Sequence, residues 1–508
     1  MKRTLTKERW FNYRPLCLIF AFLLLGSIFT FFITKNIIIC SIAFAVVLAI
    51  FVLFAIKNKT PKYLLVALIS FALGGGAYLL AVNTFNKPVT KPNLISARVC
   101  NVVESEDTTL TIYVDSCKFD GESINGKLVV YISDFNGKFD DIDVGSVIEF
   151  VPNSVKQTDL LKYDTPNATY FYKNIKYSAS TYKSNLTVVG KDVKFAEQIK
   201  QYIKTNLSNG LSESNVDLAY SALFGDKDSL SEAKYDAFKA SGIAHLLAVS
   251  GLHVGIIVAI LSFVLKKCRV KDWVRLIIIS IILGFYMYIC NFTISVVRAS
   301  IMSVCLLLAP IVFREYDSLS AVGLSGIVVF LINPLCAFDV GTLLSFSCVA
   351  GIILLNRSIN GVLAKTKMPS ALSNSLSISA STLVSIMMIM ALYFKTINII
   401  SLLANIVLIP IFTVCFVATF VLSMLSLVLP FVTYALIPIN YVFEFIAVSS
   451  QFLGNLPFAY FTTTSVSYIS IVPYFVLLLV LSNVCTARIK DKVIISFLTL
   501  AILVCCLV

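Results

Sequence analysis

Residues 16–34 read LCLIFAFLLLGSIFTFFIT, a run with no charged residue. About 20 apolar residues span the hydrocarbon core of a bilayer as a helix, so this stretch is predicted to be a transmembrane helix. The run is too long for a signal peptide and no small-residue cleavage site follows it, so it is expected to be retained. The same length recurs at Ile37–Ile56 and Tyr63–Val82. After a polar gap it recurs at His245–Leu265, Leu276–Thr293, Ile294–Phe313, Leu319–Ile332, Thr342–Leu355, Leu376–Phe394, Ile399–Leu422, Phe431–Leu453, Val466–Leu481 and Val493–Val508. The composition agrees: 58% of residues are hydrophobic, 14% are charged and the mean hydropathy is +0.88, which leaves too little polar surface for a soluble protein. The predicted fold class is a polytopic α-helical membrane protein of about thirteen spans, with an extracytoplasmic all-β, OB-like domain inserted after the third span.

The formal net charge of +13 raises the question of a nucleic-acid partner, and its placement answers most of it. Lys2, Arg3, Lys7, Arg9 and Arg14 precede the first span; Lys57, Lys59 and Lys62 follow the second; Lys266, Lys267, Arg269, Lys271 and Arg275 follow the fourth. Arg357, Lys365 and Lys367 follow the eighth, and Arg488, Lys490 and Lys492 precede the last. If each span crosses once, all these loops fall on one side, as the positive-inside rule requires. The chain is therefore expected in a bacterial cytoplasmic (inner) membrane with its N-terminus inside. Of 13 cysteines only Cys100 and Cys117 lie outside the spans and their flanks, in the region placed outside the cytoplasm, where a disulfide between them could persist.

The chain divides into three N-terminal helices (1–82), a β domain (83–191), an amphipathic helical segment (192–244) and a transmembrane core (245–508). ISARVCNVV, TTLTIYVDSC, GKLVVYIS and GSVIEFV read as strands separated by turn residues. An oligonucleotide-binding barrel fits their number, and a small sandwich fits nearly as well. The segment LKYDTPNATYFYKNIKYSASTYK (161–183) interleaves aromatic residues with lysines, the combination that single-stranded nucleic acid uses for stacking and phosphate attraction. Lys162, Tyr163, Tyr170, Tyr172, Lys173 and Lys176 are the DNA-contact candidates, against a plainer reading in which the aromatics alternate into a strand core.

The only two histidines fall in SGIAHLLAVSGLHVG (241–255). On one helix His245 and His253 would stand ~12 Å apart and ~80° around the axis, a poor metal site. Ser250 and His253 share a face as a hydrolase pair would, but no orienting acid accompanies them. Packing histidines, with Gly251 and Gly255 as a GxxxG contact face, is a third reading, and the lining or gate of a polar pathway is a fourth. Arg298 in ISVVRASIM, Asp339 between Pro334 and Gly341, and Asn405 ahead of Pro410 add polar groups to apolar segments. Helices interrupted at such prolines and glycines would expose N-terminal dipoles to an anion. Arg298, near the outer surface, could equally snorkel. No GxxxxGK[ST] loop is present, so ATP hydrolysis by this chain is not expected, nor is any cofactor.

Four stretches, ALFGDKDSLSEAKYDAFKASGIAHLLAVSGLHVG, NFTISVVRASIM, INPLCAFDVGTLLSFSCVAGI and ISLLANIVLIP, stand in the order seen in the ComEC family of competence proteins, and the chain resembles that family over nearly its whole length. The resemblance implies an inner-membrane channel that imports single-stranded DNA in natural transformation. It also implies an extracytoplasmic DNA receptor and a cytoplasmic ATP-driven motor as partners. The two histidines would then mark where the chain enters the membrane core, as gate or packing elements. Many members carry a further metallo-β-lactamase-like domain; here no HxHxDH cluster occurs beyond the two histidines already used, so a nuclease is expected on a separate polypeptide. Other readings of the residues are a transporter or flippase for another anion, and an intramembrane serine hydrolase.

Overall fold

A computed structural model describes residues 14–35, 61–85, 91–104, 109–134, 142–158, 160, 167–227, 230–366, 368–463 and 470–482, together with 496 and 499. The predicted spans Ile37–Ile56 and Val493–Val508 lie essentially outside these residues, as do Lys162 and Tyr163. Among the described residues two apolar helices come first, α1 (Pro15–Lys35) and α2 (Pro61–Phe85). They cross closely because Gly26 and Gly74 face each other's helix: a Cβ on Gly74 would meet the Leu23 carbonyl oxygen at 2.1 Å.

The next region is β-rich. Its strands are β1 (Ile95–Glu104), β2 (Thr109–Phe119), β3 (Glu122–Ser123), β4 (Lys127–Ser133), β5 (Ser146–Phe150), β6 (Ser154–Gln157), β7 (Ile175–Tyr182) and β8 (Leu186–Lys191), with a short helix α3 (Ala168–Tyr172) before β7. The sheet order is β6-β7-β4-β2-β1-β5-β8, with β3 paired to β2. Neighbours are antiparallel except β4 and β7, which run parallel. Only Val151, Pro152 and Asn153 separate β5, paired to β1, from β6, paired to β7. One bent segment therefore runs from the strand next to one edge of the sheet, β5, to the opposite edge, β6. Period-two alternation puts Val99, Ile112, Val130 and Ile148 inside, each 1% exposed or less.

Helices α4 (Phe195–Leu207), α5 (Glu213–Phe224) and α6 (Glu232–Ala240) follow. On α4 Ile203 and Leu207 are buried while Phe195 and Tyr202 are exposed, whereas α5 is buried from Asn215 to Phe224 apart from Asp217 and is enclosed by the core. The remaining helices are α7 (Gly251–Lys267), α8 (Asp272–Ile289), α9 (Ile294–Ile311), α10 (Ser318–Ile332), α11 (Val340–Leu363), α12 (Ser370–Tyr393), α13 (Ser401–Ser426), α14 (Ile437–Gly454) and α15 (Ile471–Leu481), with a small ribbon of β9 (Thr396–Asn398) and β10 (Tyr460–Thr462).

Among the described residues eight helical stretches are long and apolar enough to cross a membrane. The helices at three further predicted spans are shorter: α7, α10 and α15 have 17, 15 and 11 residues. Two sequence expectations about interruptions come out differently. Asn333 to Asp339 does break the chain between α10 and α11. Pro410, by contrast, sits inside an α13 that runs on unbroken, because a transmembrane helix can re-satisfy the one backbone carbonyl that proline leaves free.

Candidate functional site

The histidine stretch is not one helix. His245 lies in a 3-10 turn, Ala244–Leu246, and α7 begins only at Gly251. Ser250 causes the break: it takes extended angles (φ −116, ψ 171) as the N-cap, the position serine favours. The span predicted from His245 therefore starts six residues late, and the on-axis separation of the two histidines does not apply. His253 turns back on the cap, its Nδ1 accepting the Ser250 backbone N–H at 3.0 Å. The ring proton is then on Nε2, which is buried without a hydrogen-bond partner. The imidazole is 0% exposed and lies on Phe416, with centroids 4.4 Å apart, and near Phe412 at 5.8 Å. Ser250 Oγ, 3.4 Å from Nδ1, meets a lone pair already engaged, which leaves the hydrolase reading without a base.

Gly251 and Gly255 do not form a paired contact face. A Cβ on Gly255 would meet nothing within 4 Å, whereas one on Gly251 would stand 3.3 Å from Arg298 Nη2. Arg298 itself is not a snorkelling surface residue: it is 5% exposed, on the second turn of α9. Its Nε donates to Ser345 Oγ on α11 at 2.9 Å, Nη1 to Met302 Sδ at 3.6 Å, and the guanidinium lies 5.7 Å from the centroid of the Phe346 ring. No carboxylate among the described residues pairs with it. The structure therefore joins Gly251 and Arg298 across α7 and α9, with His253 on the same first turn of α7. Sequence reading missed Ser345 and Phe346, which carry no signal in an apolar run.

Asp339 has another role. As N-cap of α11 its Oδ2 accepts the backbone N–H and the hydroxyl of Thr342 at 2.7 and 2.8 Å. Its Oδ1 accepts from Thr169 of α3 at 3.2 Å. Asn405 stands on α13 with its Oδ1 buried and unpartnered, about two turns before Phe412.

The aromatic and lysine-rich segment is largely a docking element. Asn333 donates to the Ala168 carbonyl at 3.3 Å, Tyr172 OH donates to the Phe292 carbonyl, and Phe171 packs on Phe85 with rings 5.8 Å apart. Tyr170 joins the same apolar cluster, around Phe31, Tyr78 and Phe338. These contacts seat the β domain on the loops that lead into α9 and α11. Lys173 instead lies over the Tyr113 ring at 5.7 Å, and the Lys176 stem covers Gly126. The outward faces of β4 and β7 expose Tyr131 (44%) and Tyr182 (48%); the former was not singled out from the sequence, although its place in alternating GKLVVYIS predicts an outward side chain.

Cys100 and Cys117 are free thiols, so the disulfide considered from the sequence is not formed. The β1–β2 register, which pairs Val99 with Val114 and Ser96 with Lys118, places the two cysteines three positions out of step, so they are not cross-strand partners. Burial pushes both thiols up, Cys117 to about 12, so both stay protonated at neutral pH. Beside them, Arg98 pairs with Asp115 and Asp192, each at 2.8 Å, and Lys194 reaches Asp115 at 2.6 Å. Burial pushes the Asp115 carboxyl up, but hydrogen bonds from Lys194 and Arg98 outweigh it and hold the group below the usual carboxylate range.

These features define a polytopic membrane protein whose helical core carries a seated β domain. A family model described as Competence protein matches residues 222–488, more than half of the chain. The chain belongs to this competence protein family. It is similar to ComE operon protein 3 of Bacillus subtilis (strain 168), at 28% identity over 217 residues, which are 43% of this chain and 27% of that protein. The match thus spans about a quarter of that relative's length. No solved structure matches the chain.

Proposed function

We propose that this protein is a channel for import of single-stranded DNA across a bacterial cytoplasmic membrane. The observation that carries the reading is the seating of the β domain on a family-matched helical core, through Asn333, Phe292 and Asp339. Its strand order, with a central β1 paired on both sides, a parallel β4 and β7, and a bent β5–β6 segment, supports a barrel of the OB type. Exposed Tyr131 and Tyr182, with Lys173 over Tyr113, offer ring faces and a cation to unpaired bases on that barrel. This surface keeps Lys173 of the sequence candidates and leaves out Tyr170 and Tyr172, which are engaged in docking.

The orientation with the N-terminus inside is supported by α10. Arg14, at the start of α1, pairs with Asp317 at the start of α10 at 2.8 Å, while Asn333 just past its end holds the β domain. The start of α1 and the β domain thus lie at opposite ends of that helix. Chemistry is not assigned to the chain; a receptor, a motor and a nuclease would be separate proteins, and the full set of about thirteen spans belongs to this reading.

The test is uptake of labelled DNA in a host whose own competence channel is deleted, complemented with this chain or with its Tyr131→Ala, Tyr182→Ala form. Uptake restored by the first and reduced at least ~10-fold in the second is expected, since each stacked base contributes roughly 1–3 kcal/mol. No restoration by a correctly inserted chain would refute the reading.

A further inference from the structure

We infer that Arg298, together with the N-terminus of α7, forms a phosphate-binding site inside the helical core, taking a phosphodiester of the translocating strand. The inference rests on the DNA reading above and adds where the strand is held. Four observations converge on it.

Arg298 is 5% exposed and no carboxylate among the described residues neutralises it. Removing a cation from water without an anionic partner costs several kcal/mol, so a buried guanidinium held only by neutral groups in a membrane core marks a place where an anion is received. Its surroundings make the local potential more positive. Nη2 points at Gly251, the first residue of the 17-residue α7, whose opening N–H groups have no intrahelical acceptor and carry the positive end of the helix dipole. A cation is stabilised at a helix C-terminus, so the guanidinium and this N-terminus repel one another until an anion lies between them.

Gly251 lets Nη2 approach the first turn of α7 this closely, because a Cβ there would stand 3.3 Å from it. Ser345 and Phe346 hold the other side of the guanidinium, which leaves the Nη2 edge facing α7. Two residues further along that first turn, His253 Nε2 is a buried donor without a partner. The site also lies on the route the seating of the β domain defines. Arg298 is on the second turn of the helix whose entry loop holds Tyr172 at Phe292, and Ser345 is on the second turn of the helix capped by Asp339.

The occupant is assigned to nucleic acid in preference to a lipid headgroup because Arg298 is enclosed among α7, α9 and α11 and is not on an outer face. Recognition is by the planar fork of arginine, which matches two phosphate oxygens at once.

The experiment uses the full chain in phosphatidylcholine nanodiscs, titrated with fluorescent oligothymidylate across a salt series. Arg298→Gln is expected to weaken binding about 10-fold and to reduce the slope of log affinity against log salt by about 0.7, the release of one phosphate contact on a single strand. Arg298→Lys keeps the slope and loses affinity, because the charge stays and the fork goes. Gly251→Val, which leaves the charge and crowds the Nη2 edge, is expected to weaken binding as Arg298→Gln does, so the result does not hang on one variant. If wild type binds and both Arg298→Gln and Gly251→Val bind with unchanged affinity and slope, this inference is overturned and the DNA reading stands. If wild type binds no oligonucleotide, the DNA reading itself fails and takes this inference with it. A difference between wild type and Arg298→Gln that appears only in discs containing phosphatidylglycerol would make a lipid the occupant and overturn it too.

Discussion

The β domain and the helical core each bury an arginine and treat it in opposite ways. Arg98, with its side chain 12% exposed, is bracketed by Asp115 and Asp192, and Lys194 shares Asp115. Arg298, 5% exposed, has a serine, a methionine sulfur and a ring, and no carboxylate among the described residues. Pairing is how a fold normally tolerates a buried charge, so the β domain spends its arginine on its own architecture. Leaving the charge open costs stability and is retained where something else supplies the anion.

The contrast is most exposed to failure in a pair of substitutions read by thermal unfolding of the full chain in nanodiscs. Asp115→Ala leaves Arg98 with only the exposed Asp192 and is expected to destabilise the protein by about 2 kcal/mol, less than breaking a fully buried pair because that partner remains and Lys194 reaches water. Arg298→Met, matched in length and apolar, is expected to leave the unfolding midpoint unchanged or raise it. A loss in Arg298→Met as large as that in Asp115→Ala would mean the second arginine is as structural as the first.

Acid sharpens the same comparison. Because the Asp115 carboxyl is held below its ordinary range, the stability it contributes is complete above the unfolded value and is lost as pH falls through the folded one. Hydrogen exchange in β1 and β2 should therefore accelerate only below the ordinary carboxylate range, near pH 4 and under. In Asp115→Asn that acid step should shrink; an unaltered step would assign it to other carboxylates.

The smaller effects concern the histidine stretch. Ser250→Ala removes an N-cap and is expected to cost about 1 kcal/mol, visible as a lower unfolding midpoint. Gly255→Ala should stabilise the protein by no more than ~1 kcal/mol, the gain in helix propensity alone, since nothing lies within 4 Å of the added carbon. A large effect there would restore the GxxxG contact face that the structure lacks.

Sequence alone was sufficient for whatever depends on local periodicity. Runs such as residues 16–34 must be helical in a bilayer, because every backbone group has to be satisfied within the segment, and α1 and α2 appear where expected. The alternation of ISARVCNVV and GKLVVYIS likewise gave β1 and β4. The competence resemblance was legible because long motifs such as residues 222–255 survive as strings, and the match over residues 222–488 agrees with it.

The roles of single polar residues were not legible, because they depend on which groups other elements bring close. His253 and Ser250 left packing, gate and reactive-pair readings open from spacing and are a helix cap on a phenylalanine face. Asp339 read as a pathway residue and is a cap that holds the β domain. Tyr170 and Tyr172 read as a nucleic-acid surface and are part of the seating. Arg298 read as a residue near the membrane surface, and only the packing of α7 and α11 around α9 shows that it is enclosed and unneutralised. Periodicity is a property of a segment; the neutralisation of a charge belongs to its three-dimensional neighbourhood, which the order of residues along the chain does not specify.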